Sequence, residues 1–585
     1  MAEKLLKEYL YGDLLAPEEG YATDFAVGMT YSLGFDALLT AYLAFGMLDD
    51  VSDDALGMPH LLLDAVSRSS DKVVLFCNKG GIAVPSKVQK VHSLLERNIY
   101  EVFDRNDLSA NFHPKLWLIR EVKKDDADKK QIKLIVTSRN LKFTDTIDCV
   151  ACLKGEVGDK VHDDKHKPLA DFVMDIAECS NIIDDRKEAV RNLVDDLMKV
   201  ERFEVSGPFE DYDFIPYVFN SRSRFPLGSH DGNIHLQGKC TIVVSPFIDL
   251  NVLKKINPRK KKDKYLITRR EYVTNDVLEW FTKVFVCDED VAASGADLHA
   301  KMYHIWSNRN NQYLFLGSAN ATYSAFNRNA EFLLRLKYKY GNINDKEFLS
   351  GFYSEGDPDS RFVQMTEDDL IGQDTASATE DVGRLLEKTL KELICDEGLK
   401  AVVEPVDGKC YSITVTSTKA DSSVYIAPMQ RASDVKPWSQ TVVFDGLELP
   451  ELSEFYVVSV TGADGVHIEK VIKIPTDGIP ADRDRSIYKG IIRNPKDFYT
   501  LLGLMLSDVP YSYLIGRMND ISSEHKASEG NDKIIYTDLY ESLLRTAASE
   551  PEKIGRIQDL MKRLDEDVVP EEFSRLIAHF VEAIQ

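Results

Sequence analysis

"LHAKMYHIW" (Leu298–Trp306) and, shortly after it, "FLGSAN" (Phe315–Asn320) set a histidine and a lysine two apart, then a serine and an asparagine two apart. Side chains on an extended chain alternate faces, so residues i and i+2 point the same way. His299 and Lys301 are therefore expected to leave one strand on one face. Ser318 and Asn320 would leave the end of a second strand. The run "YLFLGSAN" is apolar up to its glycine and polar after it, as expected of a buried strand that runs out into a site.

The pattern occurs again in the first half of the chain. "FHPKLWLIR" (Phe112–Arg120) holds His113 and Lys115, and "IKLIVTSRNL" (Ile132–Leu141) holds Ser138 and Asn140. The charged "EVKKDDADKK" between them reads as a solvated hairpin loop, and Pro114 implies a strand edge or a bulge. Each copy then reaches an acid before another apolar strand. Asp148 does this in "NLKFTDTIDCVACL", and Glu331 in "NATYSAFNRNAEFLLRL". Two sets of His-x-Lys, Ser-x-Asn and a trailing acid imply an internal duplication, which governs any reading of the fold.

At 585 residues the chain is too long for a single core. Strands alternate with helical patterns in both halves, which predicts an α/β class with two pseudo-symmetric lobes at 1–204 and 205–375. "KVQKVHSLLERNIYEVF" is read as helical before the His113 strand. A linker with helix at 376–398 leads to a β-rich, sandwich-like module at 399–480. A helical domain at 481–585 reads as a packing or partner-docking bundle. No apolar stretch is long enough for a membrane helix, no secretory signal is read at the start, and eight cysteines are sparse. A soluble, cytoplasmic protein is expected. The formal net charge of −24 weighs against coating nucleic acid by electrostatics alone, but allows a local basic groove.

If the two half-sites face each other, two imidazoles, two ammonium groups and two carboxamides converge. Such donors suit a phosphodiester, with Lys115, Lys301, Asn140 and Asn320 stabilising charge on its oxygens. One histidine attacks phosphorus; the other protonates the leaving oxygen and later activates water. Asp148 and Glu331 would orient the rings through their second nitrogens, or serve as ordinary strand-end acids. Ser138 and Ser318 are either substrate-binding hydroxyls or backbone caps. The lysines would repel a cation, so no cofactor or metal is expected.

These residues resemble the phospholipase D superfamily, whose signature is two His-x-Lys half-sites in one bilobal site. Its usual acid five residues after the lysine is replaced here by Arg120 and Trp306. The asparagine on the next strand is closer to tyrosyl-DNA phosphodiesterases and to the superfamily's metal-independent bacterial nucleases. The resemblance covers roughly residues 20–340. It implies that His113 is the nucleophile and His299 the general acid. It also implies a phosphohistidine enzyme acting on nucleic acid, DNA ahead of RNA, in restriction or phage defence. No ATPase motif is present, so a helicase or ATPase would be a separate partner. Two other readings stay open: a lipid-directed phospholipase D or phosphatidyl transferase, and a catalytically silent scaffold.

Three further features carry less. The tract "NPRKKKDKYLITRREY" is either a solvated loop or a substrate-binding wall with Lys260, Lys261, Lys262, Arg269 and Arg270. Cys149 and Cys152 lack a second pair and read as core residues. "VHDDKH" (Val161–His166) reads as a hydrophilic loop.

Overall fold

The computed structural model describes residues 11–46, 57–219, 241–256, 264–293, 296–308, 311–338, 345–353, 360–370, 377–406, 408, 410–506, 539–565 and 567–584. The first lobe is built on strands β1 (Tyr21–Thr30), β2 (Val73–Asn78), β3 (Ile99–Val102), β4 (Leu116–Lys123) and β5 (Asp126–Thr137). After the short β6 (Thr146–Ile147), β7 (Val150–Glu156) completes a sheet of order β3-β2-β1-β4-β5-β7.

The second lobe repeats this plan. It uses β8 (Phe209–Tyr217), β9 (Thr241–Val244), β10 (Lys264–Ile267), β11 (Lys283–Cys287), then β12 (Asp297–Leu298) and β13 (Met302–Asn308). β14 (Asn311–Gly317), β15 (Glu331–Tyr338) and β16 (Phe362–Met365) complete the order β16-β11-β10-β9-β13-β14-β15-β8. In each lobe the first three strands run parallel, and the strand after the His-x-Lys motif returns antiparallel beside the first. β8 and β16 are additions to the second sheet's edges.

Alternation explains why these segments are strands and how the layers stack. Leu116 and Leu118 face a core shared by both lobes, where they join Ile132, Leu134, Leu314, Leu316, Phe332 and Leu334. Trp117, Ile119 and Ile135, one residue out of phase, face the other side of the first sheet. A sheet buried on both faces reads as a near-continuous apolar run, as "KLWLI" and "KLIV" do. Two predicted local details change. The charged stretch 121–130 is mostly strand, with a tight turn at 124–125, and "KVQKVHSLLER" forms a 3-10 helix (Lys90–Arg97) before β3.

Residues 400–477 form two four-stranded sheets stacked as a sandwich, with Ile413, Val415 and Phe444 facing Val424, Ile426 and Tyr456. This module shares its packing with the first lobe. Phe455, Val457 and Val471 join the core of Leu38, Leu62 and Leu95, and so do Phe498, Leu543, Ile557 and Phe573 from the helices of the C-terminal segment. The tail thus packs onto the first lobe through its apolar stripe, as helices of that pattern must.

A buried ion pair fastens this seam. Glu96 accepts from the Arg483 guanidinium at 3.0 Å, the Ser453 hydroxyl at 2.6 Å and the Glu454 amide at 2.8 Å. Removing one partner strands a buried charge, at a cost of about 3–5 kcal/mol. Arg483→Ala is therefore expected to lower the unfolding midpoint of the whole chain. Chemical denaturation followed at tryptophan checks it; a midpoint equal to wild type contradicts it.

Candidate active site with two swapped histidine–acid pairs

Each His-x-Lys motif is an extended lead-in: His113 and Lys115 lie just before β4, and His299 and Lys301 lie between β12 and β13. Those lead-ins are where the lobes join. β12 pairs in parallel with β6, Leu298 opposite Ile147, and Phe112 bridges in parallel to Ala330. The His113 amide donates to the Ala330 carbonyl at 2.9 Å, and the His299 amide to that of Ile147 at 2.9 Å. Each histidine thereby stands beside the acid of the opposite lobe. His113 Nδ1 lies 2.9 Å from Glu331 Oε2, and His299 Nδ1 lies 2.8 Å from Asp148 Oδ1.

The geometry sets the tautomer. A carboxylate at Nδ1 accepts a hydrogen bond from its N–H, so the neutral ring keeps its lone pair on Nε2. Burial, opposed by Glu331 and aided by Lys115, lowers the His113 pKa to about 4. Burial does the same for His299, to about 4, against the hydrogen bond that its ring donates to Asp148. For both acids burial acts upward but is outweighed. His299, Ser138 and Thr146 hold Asp148 below the usual carboxylate range, and His113, Lys115 and Ser318 do the same for Glu331. The rings retain 12% and 15% side-chain exposure, enough for a small group to reach them.

The lysines are buried and turn back on their own motifs. Lys115 Nζ donates to the His113 carbonyl at 2.9 Å, and Lys301 Nζ to that of His299 at 2.5 Å. Burial lowers the Lys301 pKa to about 7, despite Asp148. Burial and then Lys301 lower that of Lys115 well below its usual value. Two ammonium groups close together in a dry site favour an anion between them. Asn140 Oδ1 accepts from the Ser32 amide at 3.4 Å, while Asn320 Oδ1 is buried with no hydrogen-bond partner.

The serines take a different place from a substrate-binding one. Ser138 Oγ donates to Asp148 at 2.6 Å and accepts the Cys149 amide at 2.9 Å. Ser318 Oγ donates to Glu331 and accepts the Phe332 amide at 2.9 Å. Both hydroxyls are committed to the acids. Gly317 makes this approach possible: a Cβ there would sit 2.3 Å from the Phe332 carbonyl, and its φ of +150° suits glycine. Arg269 likewise binds the protein, donating to the Leu298 carbonyl at 3.2 Å and pairing with Asp297 at 2.7 Å. It braces the His299 lead-in. Arg270 opens the adjoining turn (Arg270–Tyr272), and Lys260, Lys261 and Lys262 lie outside the described residues.

Sequence reading missed four neighbours. Thr146 donates to Asp148 at 2.6 Å, and Asn329 Nδ2 donates to Glu331 Oε1 at 3.1 Å. Both stand two residues before their acid, so the same-face rule that exposed His-x-Lys was available for them. Arg139 lies 3.8 Å from Asp148, and the Tyr31 ring lies 5.1 Å from the His113 ring with Lys115 Nζ 5.7 Å from its centre. No periodicity marks Tyr31, which comes from the end of β1.

Other expectations shift too. Pro114 precedes β4, which is an interior strand. Cys149 and Cys152 do pack against the cores of the two sheet faces, though half-buried, and Cys149 Sγ touches the Lys301 carbonyl at 3.6 Å. "VHDDKH" runs into the helix Asp163–Cys179, and its His166 is buried against the Tyr212 hydroxyl at 2.8 Å. Arg120, in the place of the superfamily's acid, pairs with Asp24 and Asp196.

No protein-family model and no curated protein matches the chain. Among solved structures, yeast tyrosyl-DNA phosphodiesterase matches at 12% identity and a TM-score of 0.33, covering 57% of this chain and 85% of that one. Two mutants of the same enzyme match at 11% identity and a TM-score of 0.34, covering 56–57% of this chain and 85–87% of theirs. Among the described residues no helix is long and apolar enough to cross a membrane.

Proposed function

We propose that this chain is a phosphodiesterase of the phospholipase D superfamily that cleaves DNA through a phosphohistidine. One observation carries the reading: each histidine is held by the acid of the other lobe, which draws both half-sites into one place. His113 Nε2 attacks phosphorus, a P–N bond forms, and the P–O bond to the leaving group breaks. His299, as imidazolium, gives its proton to the departing oxygen. Water then attacks phosphorus while His299 takes a proton from it, which releases His113 and completes hydrolysis. The ionised Asp148 supports the imidazolium, and entry of an anionic diester raises the His299 pKa toward the working pH.

DNA as the substrate, and a separate helicase or ATPase as partner in restriction or phage defence, rest on the motif style without post-lysine acids. The sequence carries no ATPase motif, so any motor would be a separate subunit. Incubation with plasmid and single-stranded DNA in EDTA, alone and with candidate motors, tests the reading. Cleavage that His113→Asn removes supports it. Release of choline from phosphatidylcholine with no DNA cleavage overturns it.

The lysine shifts give a pH prediction. A lysine whose pKa is lowered is cationic below that value and neutral above it, so anion affinity falls as pH rises through about 7. Inhibition by dimethyl phosphate, whose single charge is constant over this range, is expected to weaken by up to about tenfold per pH unit above 7. Lys301→Arg blunts the fall because a guanidinium stays protonated. An inhibition constant flat from pH 6 to 9 contradicts the assignment.

A further inference from the structure

Two of the most exposed aromatic side chains occupy matched positions. Phe143 stands three residues after Asn140 and is 56% exposed; Tyr323 stands three after Asn320 and is 50% exposed. The match extends to the backbone. The Lys142 and Thr322 amides each donate at 2.8 Å to the carbonyl of their asparagine. Leu141 bridges in parallel to Leu33, and Ala321 to Ile248. Each aromatic thus lies on the segment between a site asparagine and a site acid, Phe143 in irregular chain and Tyr323 at the start of a short helix (Tyr323–Asn327). Three residues span at most about 11 Å, so each aromatic's Cα is tethered within that reach of its site asparagine.

Single exposed apolar residues are common, but a pair at equivalent places in diverged lobes is a different observation. Both segments also carry cations. Lys142 is exposed beside Phe143, and the Arg328 guanidinium lies 5.7 Å from the Tyr323 ring centre, held by Ser109 at 3.0 Å. A ring beside a cation suits a polyanion whose bases are free to stack. Base pairs in a duplex are already stacked on both faces and offer a ring no such surface.

We propose that Phe143 and Tyr323 are stacking platforms for unpaired nucleobases flanking the scissile phosphate, which makes single-stranded nucleic acid the preferred substrate. The inference rests on the phosphodiesterase reading above and names the form of its substrate. The rings select by their faces, so discrimination among the four bases is weak.

Binding of a fluorescent 12-nucleotide single strand to Phe143→Ala, Tyr323→Ala and the wild-type chain tests it, read by anisotropy with DNA and RNA arms. Each loss of a ring is expected to weaken binding of both strands roughly tenfold. Phe143→Trp and Tyr323→Trp restore it, which separates stacking from misfolding. A duplex of the same sequence responds less. In parallel, the ratio of kcat/KM for the oligonucleotide to that for bis(4-nitrophenyl) phosphate falls about tenfold in each alanine variant. Affinity and ratio within twofold of wild type overturn the platforms, as does a wild-type chain that binds neither strand. A chain that binds strands through the rings yet hydrolyses neither substrate fails the phosphodiesterase reading instead.

Discussion

His113→Asn is expected to abolish turnover, with kcat reduced at least about 10⁴-fold, because it removes the group assigned to form the covalent bond to phosphorus. A nitrophenyl ester of a nucleotide separates the two histidines. Nitrophenolate leaves without a proton, so the first step needs no general acid. With this ester His299→Asn should release about one equivalent of nitrophenol in a burst and then stall, because hydrolysis of the P–N bond needs a base at that position. The stalled protein should carry the added nucleotidyl mass on the peptide containing His113. His113→Asn should show no burst. If the burst survives in His113→Asn and the label lies on His299, the two roles are exchanged. If neither histidine is labelled, a covalent route through these rings is wrong.

The second large effect is remote from phosphorus by one ring. Glu331→Gln keeps the shape of the side chain but offers an N–H to His113 Nδ1 where a carboxylate accepted one. The ring then carries its proton on Nε2, and the attacking lone pair is lost. The same carboxylate-to-amide change in a serine protease triad costs about 10⁴-fold, and a loss on the order of 10³- to 10⁴-fold in kcat is expected here. Ser318 and Asn329 still surround the amide, so the unfolding midpoint serves as the check on folding. Asp148→Asn should act on the other ring, slowing release of the nucleotidyl group more than the nitrophenol burst. Activity within tenfold of wild type in Glu331→Gln, with folding intact, would show that the contact is structural only. Both predictions share one premise, that the lobes hold their acids across the seam.

How far the sequence led can be judged from particular residues. His113, Lys115, Asn140, Asp148 and their counterparts were legible because extended chain repeats every two residues, and a duplicated motif shows twice. The strands themselves were legible for the same local reason. Charged residues 121–130 misled, because pairing of 121–123 with β1 and of the two hairpin arms with each other outweighs their preference for water. His166 misled similarly: Tyr212, 46 residues away, gives it the buried partner that a local window cannot contain.

What the chain's order of residues determined alone is the inventory of each half-site and its lead into a strand, since backbone alternation acts over two or three neighbours. Tertiary structure decided the ownership of the acids. His113 meets Glu331 across 218 residues and His299 meets Asp148 across 151. It also set the serines on carboxylates and merged the helical tail with the first lobe's core. Those outcomes follow from how two sheets bury their facing apolar surfaces, a global condition that no spacing within one strand encodes.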